Sequence, residues 1–315
     1  MSDYSAKQGE LRDKQQKRIS LITPIFLLSC SAFVRTEYGE RSRMGKKHLK
    51  AVIGFLVLVT FLAESVEATT TMSIADVNGG TLGGLTFGRG DLAEYNAGLD
   101  TATLYFDGSL FSAYENINAV HRLANENILL STTNGATLGG LTFAKGDLVE
   151  YNSATDTATL YLDNALFSGS QPNIDAVYVN GSGNIILSTA GNATLGGLSF
   201  GSGDLAEYNP STDTATLYFD GSLFAGGENI DAAHILSANG NIVLSTGDAA
   251  TLGGLSFGAG DLVEYDSATD TATLYFDGSN FSGAANIDAA FVDTPEPATI
   301  MILGLGAVVL TKRRK

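Results

Sequence analysis

The chain contains no tryptophan, one cysteine, three histidines and five prolines in 315 residues. Cys30 stands alone, so neither a disulfide framework nor a thiolate metal site can form within the chain. Only His121 and His234 fall between residues 69 and 294, which leaves little for acid–base catalysis near neutral pH. Cations are scarcer still. From Thr69 to Thr294, Arg89, Arg122 and Lys145 stand against 26 Asp and Glu, a net charge of −23. Nucleic-acid binding by this body is excluded, because neutralising phosphates requires a basic face. The whole chain nets only −16, since eleven Lys/Arg precede Ala51 and four more form its last residues.

The basic residues mark the two ends. Met44 to Ala68 reads MGKKHLKAVIGFLVLVTFLAESVEA: Lys46, Lys47 and Lys50, then the apolar run Ala51–Ala63, then small residues at Val66 and Ala68. This order predicts a secretory signal peptide over residues 44–68, cleaved after Ala68. Residues 1–43 then read as a mis-assigned or disordered extension. At the other end, Pro295-Glu296-Pro297 precedes the apolar run Ala298–Leu310 and the cluster Lys312-Arg313-Arg314-Lys315. Thirteen helical residues span about 20 Å, short of the roughly 30 Å hydrocarbon core, so this run reaches across only with help from its flanks. The positive cluster should stay cytoplasmic, leaving the body outside.

Those three parts, in that order over residues 295–315, resemble the PEP-CTERM sorting signal of exported proteins in Gram-negative, exopolysaccharide-making bacteria. The resemblance implies recognition and processing by an exosortase-type membrane enzyme near Pro295-Glu296-Pro297. A plain C-terminal membrane anchor is the alternative. Either way the mature body is expected at the cell envelope, the outer surface or the extracellular matrix.

Between the two ends, one unit occurs four times. T-L-G-G-L-[TS]-F starts at Thr81, Thr137, Thr194 and Thr251, in steps of 56 or 57 residues. G-D-L-[AV]-E-Y follows, then D-T-A-T-L-Y-[FL]-D, then N-I-[DN]-A, then a strand of the form N-I-[ILV]-[LV]-S-T. Turn residues such as Asn180-Gly181-Ser182-Gly183 and Asn209-Pro210-Ser211-Thr212-Asp213 separate segments rich in Thr, Val, Ile, Tyr and Phe. No segment of the body has a 3.6-residue period, which excludes helical repeats. Four strands in about 57 residues fit a propeller blade better than a solenoid coil. The unit order resembles WD40 and kelch-type blades without the Trp-Asp and Gly-His marks of the former.

The phase of the repeat predicts how the array ends. The last unit stops after Asn286–Val292 without its partner strand, and the first begins with the unpartnered Thr71–Asp76. The two would complete one blade and close a ring. The expected fold is therefore all-β: a four-bladed propeller over residues 69–294, closed by its N- and C-terminal strands and flanked by short apolar helices. Two chains sharing an eight-bladed ring, or a linear array of sandwiches, are the alternatives.

Repetition also bears on chemistry. Nearly every carboxylate recurs at equivalent places, which symmetry keeps apart, whereas an enzyme needs an asymmetric acid–base pair. Neither a G-x-S-x-G elbow nor an H-E-x-x-H pair occurs, and no enzymatic activity is expected. His121 and His234 occupy the positions of Tyr178 and Phe291 and are expected to be packed. Tyr95, Tyr151, Tyr208 and Tyr265 are expected to lie between blades, with sugar stacking the alternative. One candidate site remains. If N-I-[DN]-A opens each innermost strand, then Asn118, Asp175, Asp231 and Asp288 ring one mouth of the channel. They could cap their own strands or hold Ca²⁺, which favours oxygen ligands. The expected role is structural or adhesive, with exopolysaccharide or other surface components as partners. A carbohydrate- or Ca²⁺-binding module comes second and an extracellular hydrolase third.

Overall fold

Within each repeat the apolar character falls from the first strand to the last, and burial follows it. Ile230–Ile235 and Ile242–Thr246 are buried at every residue, whereas Thr271–Phe276 is buried only at Phe276. Such a gradient suits sheets that pack face to face near an axis and splay apart at the rim. The computed structural model describes residues 68–169, 171–283 and 285–293. The predicted extension, signal peptide and sorting segment, with both flanking helices, lie outside these residues, save for Ala68, which is exposed just ahead of the first strand. Among the described residues no helix is long and apolar enough to cross a membrane.

The body is a four-bladed, all-β propeller. Three blades run from the inside outward in chain order, as in Ile174–Val179, Ile185–Thr189, Leu205–Asn209 and Thr214–Phe219, every pair antiparallel. The remaining blade is built from both ends of the body. Its innermost strand is Ile287–Asp293, followed outward by Thr69–Ile74, Leu92–Asn96 and Thr101–Phe106. Thr70 stands opposite Val292, and Met72 opposite Ala290. Each innermost strand touches those of both neighbouring blades, so the ring is closed within one chain.

The cores lie between blades rather than within them. Met72, Ile74 and Val292 of the composite blade pack with Val243, Leu262 and Phe276 of the blade before it. Three equivalent clusters fill the other junctions. Tyr95, Tyr151, Tyr208 and Tyr265 are 2–4% exposed within these junctions. Three of them meet a phenylalanine of the preceding blade edge-on, as in Tyr151–Phe106 at 5.6 Å. Tyr208 packs with Leu162, the residue that replaces phenylalanine in that repeat. Rings so covered cannot stack on a sugar.

The T-L-G-G-L phrase adds to the four strands expected in each unit. It is a two-stranded hairpin of its own, Ala193–Leu195 with Leu198–Phe200 in one repeat, so each unit has six strands. The reason is the glycine pair: Gly196 and Gly197 have φ of 53° and 81°, the positive values that a two-residue hairpin turn requires. A Cβ on Gly196 would fall 2.6 Å from backbone atoms of Thr214 and Ala215, whereas Gly197 faces open space. Gly196→Ala should therefore cost about 2 kcal/mol or more, and Gly197→Asn less than about 1 kcal/mol, as read from urea midpoints followed by far-UV circular dichroism.

Candidate functional site

Most of the acidic residues are occupied by the fold. Asp204 accepts the backbone N–H groups of Gly201 and Gly221, both at 2.7 Å, tying the third strand's entry to the short 3₁₀ turn after the outermost strand. Asp91, Asp147 and Asp261 do the same in their blades. Asp220 caps that 3₁₀ turn through Ser222 N–H, as Asp107, Asp163 and Asp277 do elsewhere. Asp213 takes φ of 52° in the outer turn and accepts the Tyr208 hydroxyl, again with three equivalents. Glu264 accepts Asn239 and Asn241 amides, and Glu150 and Glu207 act likewise. Thus Asp261 and Glu264, only three residues apart in sequence, serve different partners.

The predicted ring residues come together, and they do so through a feature the sequence did not signal. Asn118, Asp175, Asp231 and Asp288 are each the extra residue of a β-bulge in an innermost strand, lacking an opposite residue in the ladder. A bulge re-aims its side chain. The asparagine two positions earlier in the same phrase supplies the donors. Asn116 donates to Asp288 at 2.5 Å, Asn229 to Asp175 at 3.0 Å and to Asp231 at 2.5 Å, and Asn286 to Asp231 at 3.4 Å. In the repeat where Asn118 replaces aspartate the direction reverses, and Asn118 donates to Asp175 at 3.1 Å. All four blade junctions are therefore bridged at this mouth by amide–carboxylate hydrogen bonds. The asparagines of N-I-[DN]-A, four in number and invariant among the repeats, were the available signal.

Burial pushes these carboxyls up from the ordinary value near 3.8: Asp175 to about 6, Asp231 to about 7 and Asp288 to about 6. Asp288 and Asp175 add repulsion at Asp231, while Arg89 offsets part of the rise at Asp288. Among the described residues, no three His, Cys, Asp or Glu stand together as metal ligands.

Further along the innermost strands, His121, Tyr178, His234 and Phe291 form a closed ring of edge-on contacts, with centroids 4.8–5.3 Å apart. The histidines are packed side chains, as expected. Their burial lowers the imidazoles to about 4 for His121 and about 3 for His234, which also feels His121. Two shallow surface depressions of about 430 and 490 Å³ lie elsewhere, one lined by Ser168, Asn192 and Asp204, the other by Leu217, Tyr218 and Ile242.

Residues 293–315 match the PEP-CTERM protein-sorting motif. They carry a PEP-CTERM signal. Such a motif marks a protein exported to the cell envelope or surface and sorted by an exosortase. The PEP-CTERM match begins at Asp293, the last residue of the strand that closes the ring. No curated protein matches the chain. Solved structures similar to it include the nidogen/laminin complex, at 5% identity over 72% of this chain and 98% of that one, with a TM-score of 0.34. Another is YCF48 bound to D1 peptide, at 9% identity, 62% and 50% coverage and a TM-score of 0.30. A third is named as the extracellular domain of a hybrid two-component system from B. thetaiotaomicron, at 15% identity and a TM-score of 0.27. There the match covers 65% of this chain and 22% of that one. The chain spans less than two thirds of the length of most of these structures.

The two rings titrate in opposite senses. A carboxyl raised in the folded state binds protons more tightly there, so its contribution to stability falls as pH rises from about 4 to about 7. A histidine lowered in the folded state costs stability as pH falls below about 6.5. Asp231→Asn should therefore raise the urea midpoint at pH 8 and change it little at pH 4. His234→Phe should raise it at pH 4 relative to pH 8.

Proposed function

We propose that the chain is a non-catalytic structural or adhesive component of the cell envelope or extracellular matrix, its propeller presented outside the cytoplasm through the PEP-CTERM route. Export would begin with the segment Met44–Ala68. Cleavage after Ala68 would leave Thr69, the first residue of the first strand, as the new N-terminus. Processing near Pro295-Glu296-Pro297 would leave the closing strand intact up to Asp293.

The observation that carries this reading is the join between signal and ring. The sorting motif abuts the innermost strand directly, so any force on the anchored end is borne by the strand that holds the propeller shut. A rigid closed ring with four equivalent rims suits multivalent attachment. In this reading the repeated carboxylates serve turns and caps rather than catalysis. Exosortase is the partner implied by the signal, and matrix polysaccharide is the surface component proposed here. The second reading, a cation-binding module, is favoured by the bridged ring of asparagine and aspartate.

Replacing Pro295-Glu296-Pro297 by three alanines should block processing, so that the variant stays in the membrane fraction at a higher mass than the mature wild-type chain. Identical mass and partitioning of the two would count against sorting. Purified chain should co-sediment with the producing cell's exopolysaccharide without releasing reducing ends. Release of reducing sugars would overturn the non-catalytic assignment.

A further inference from the structure

The bridged mouth of the propeller holds more acceptors than donors. Each asparagine that reaches a carboxylate spends its N–H₂ there and keeps its carbonyl oxygen. The Oδ1 atoms of Asn116, Asn118, Asn173, Asn229 and Asn286 are all buried without a hydrogen-bond donor. Asn118 is the sharpest case. It is 2% exposed, it is held in the ring by its bond to Asp175, and its amide oxygen has no partner. A buried acceptor without a donor is disfavoured. Five of one kind at one mouth, beside three carboxylates, form a concentration of lone pairs that a positive guest would satisfy.

We propose that this ring binds a single hard, oxygen-seeking cation, with Ca²⁺ the best match, held by amide oxygens of the N-I-[DN]-A asparagines together with one or two of the carboxylates of Asp175, Asp231 and Asp288.

Ligand chemistry selects the class. Ca²⁺ takes six to eight oxygens, carboxylate and amide carbonyl alike, with tolerance for irregular geometry. Mg²⁺ demands a smaller, near-octahedral shell, which four strands fixed by their own ladders are poorly placed to contract into. Softer metals prefer imidazole or thiolate, and the body's two histidines lie in the aromatic ring at the other position on these strands. Among the described residues no three carboxylates stand together as metal ligands, so the unpartnered amide oxygens would have to complete the shell. Among the described residues Arg89 is the one cation acting on the ring carboxyls, at Asp288, and Glu115, whose Oε2 is also unpartnered, adds a further acceptor beside Arg89. The inference is independent of the adhesive role, since a purely structural propeller would use such an ion equally well.

Thermal melts of the purified full chain in mild detergent, in Ca²⁺, Mg²⁺, NaCl or chelator at matched ionic strength, test it. The expected result is a Ca²⁺-specific rise of roughly 5–10 °C once the ion is in hundredfold excess over its Kd. In Asp175→Asn/Asp231→Asn that rise should vanish, while the melting temperature in chelator increases because two like charges are gone. Terbium luminescence sensitised by the tyrosines should saturate at one ion per wild-type chain, which holds the test open should the variant fail to fold. Equal responses to Ca²⁺, Mg²⁺ and NaCl would mean screening alone and overturn the proposal. So would a Ca²⁺ response that survives in the variant, or a ring filled by water that shows no cation effect.

Discussion

The antiparallel pairing of Thr69–Ile74 with Ile287–Asp293 is the constraint on which the rest of the molecule depends. A blade cannot bury both faces alone, and a row of four leaves two faces bare unless the first meets the last. Here the meeting is made inside one blade, by strands more than two hundred residues apart. The junction core around Met72, Ile74 and Val292, the bridge from Asn116 to Asp288 and the contacts of Phe291 with both histidines all exist because that blade is composite. Arg122 adds an ion pair to Asp293 at 2.9 Å, joining the adjacent blade to the end of the closing strand.

Acidity and architecture are linked in a way net charge alone does not reveal. A charge of −23 on the body suggests solubility or cation binding. The hydrogen bonds show a different use for most of it: each repeat places aspartates where backbone N–H groups or a tyrosine hydroxyl need an acceptor, and a glutamate where neighbouring amides or a threonine hydroxyl do. Among what remains is the cluster at the axis, where carboxylates face each other across blades and burial raises their affinity for protons. Function, if it resides in the body, is most economically sought there.

Much of this was legible in the sequence, because the repeat made it so. The 56–57-residue step carries the blade count, and the unpartnered Thr71–Asp76 and Asn286–Val292 at the two ends of the array carry the closure. The packed histidines followed from sharing a position with Tyr178 and Phe291. The Gly196-Gly197 hairpin was missed because its strands are only three residues long, too short to show alternation. The bulges were missed because a bulge is a property of two paired strands, and no single phrase encodes it. The innermost-strand phrase points to Asn118, Asp175, Asp231 and Asp288 as one ring, but not to Asn116, Asn229 and Asn286, whose amides also bridge its carboxylates.

Native-state hydrogen exchange of the full chain tests the central claim of a ring closed by its own ends. The backbone amides of Thr70–Ile74 and Ala289–Val292 should exchange as slowly as those of Ile185–Thr189 and Ala176–Val179 in an uninterrupted blade, since all would open only with the whole ring. Exchange in the two terminal strands orders of magnitude faster than in that blade would contradict it.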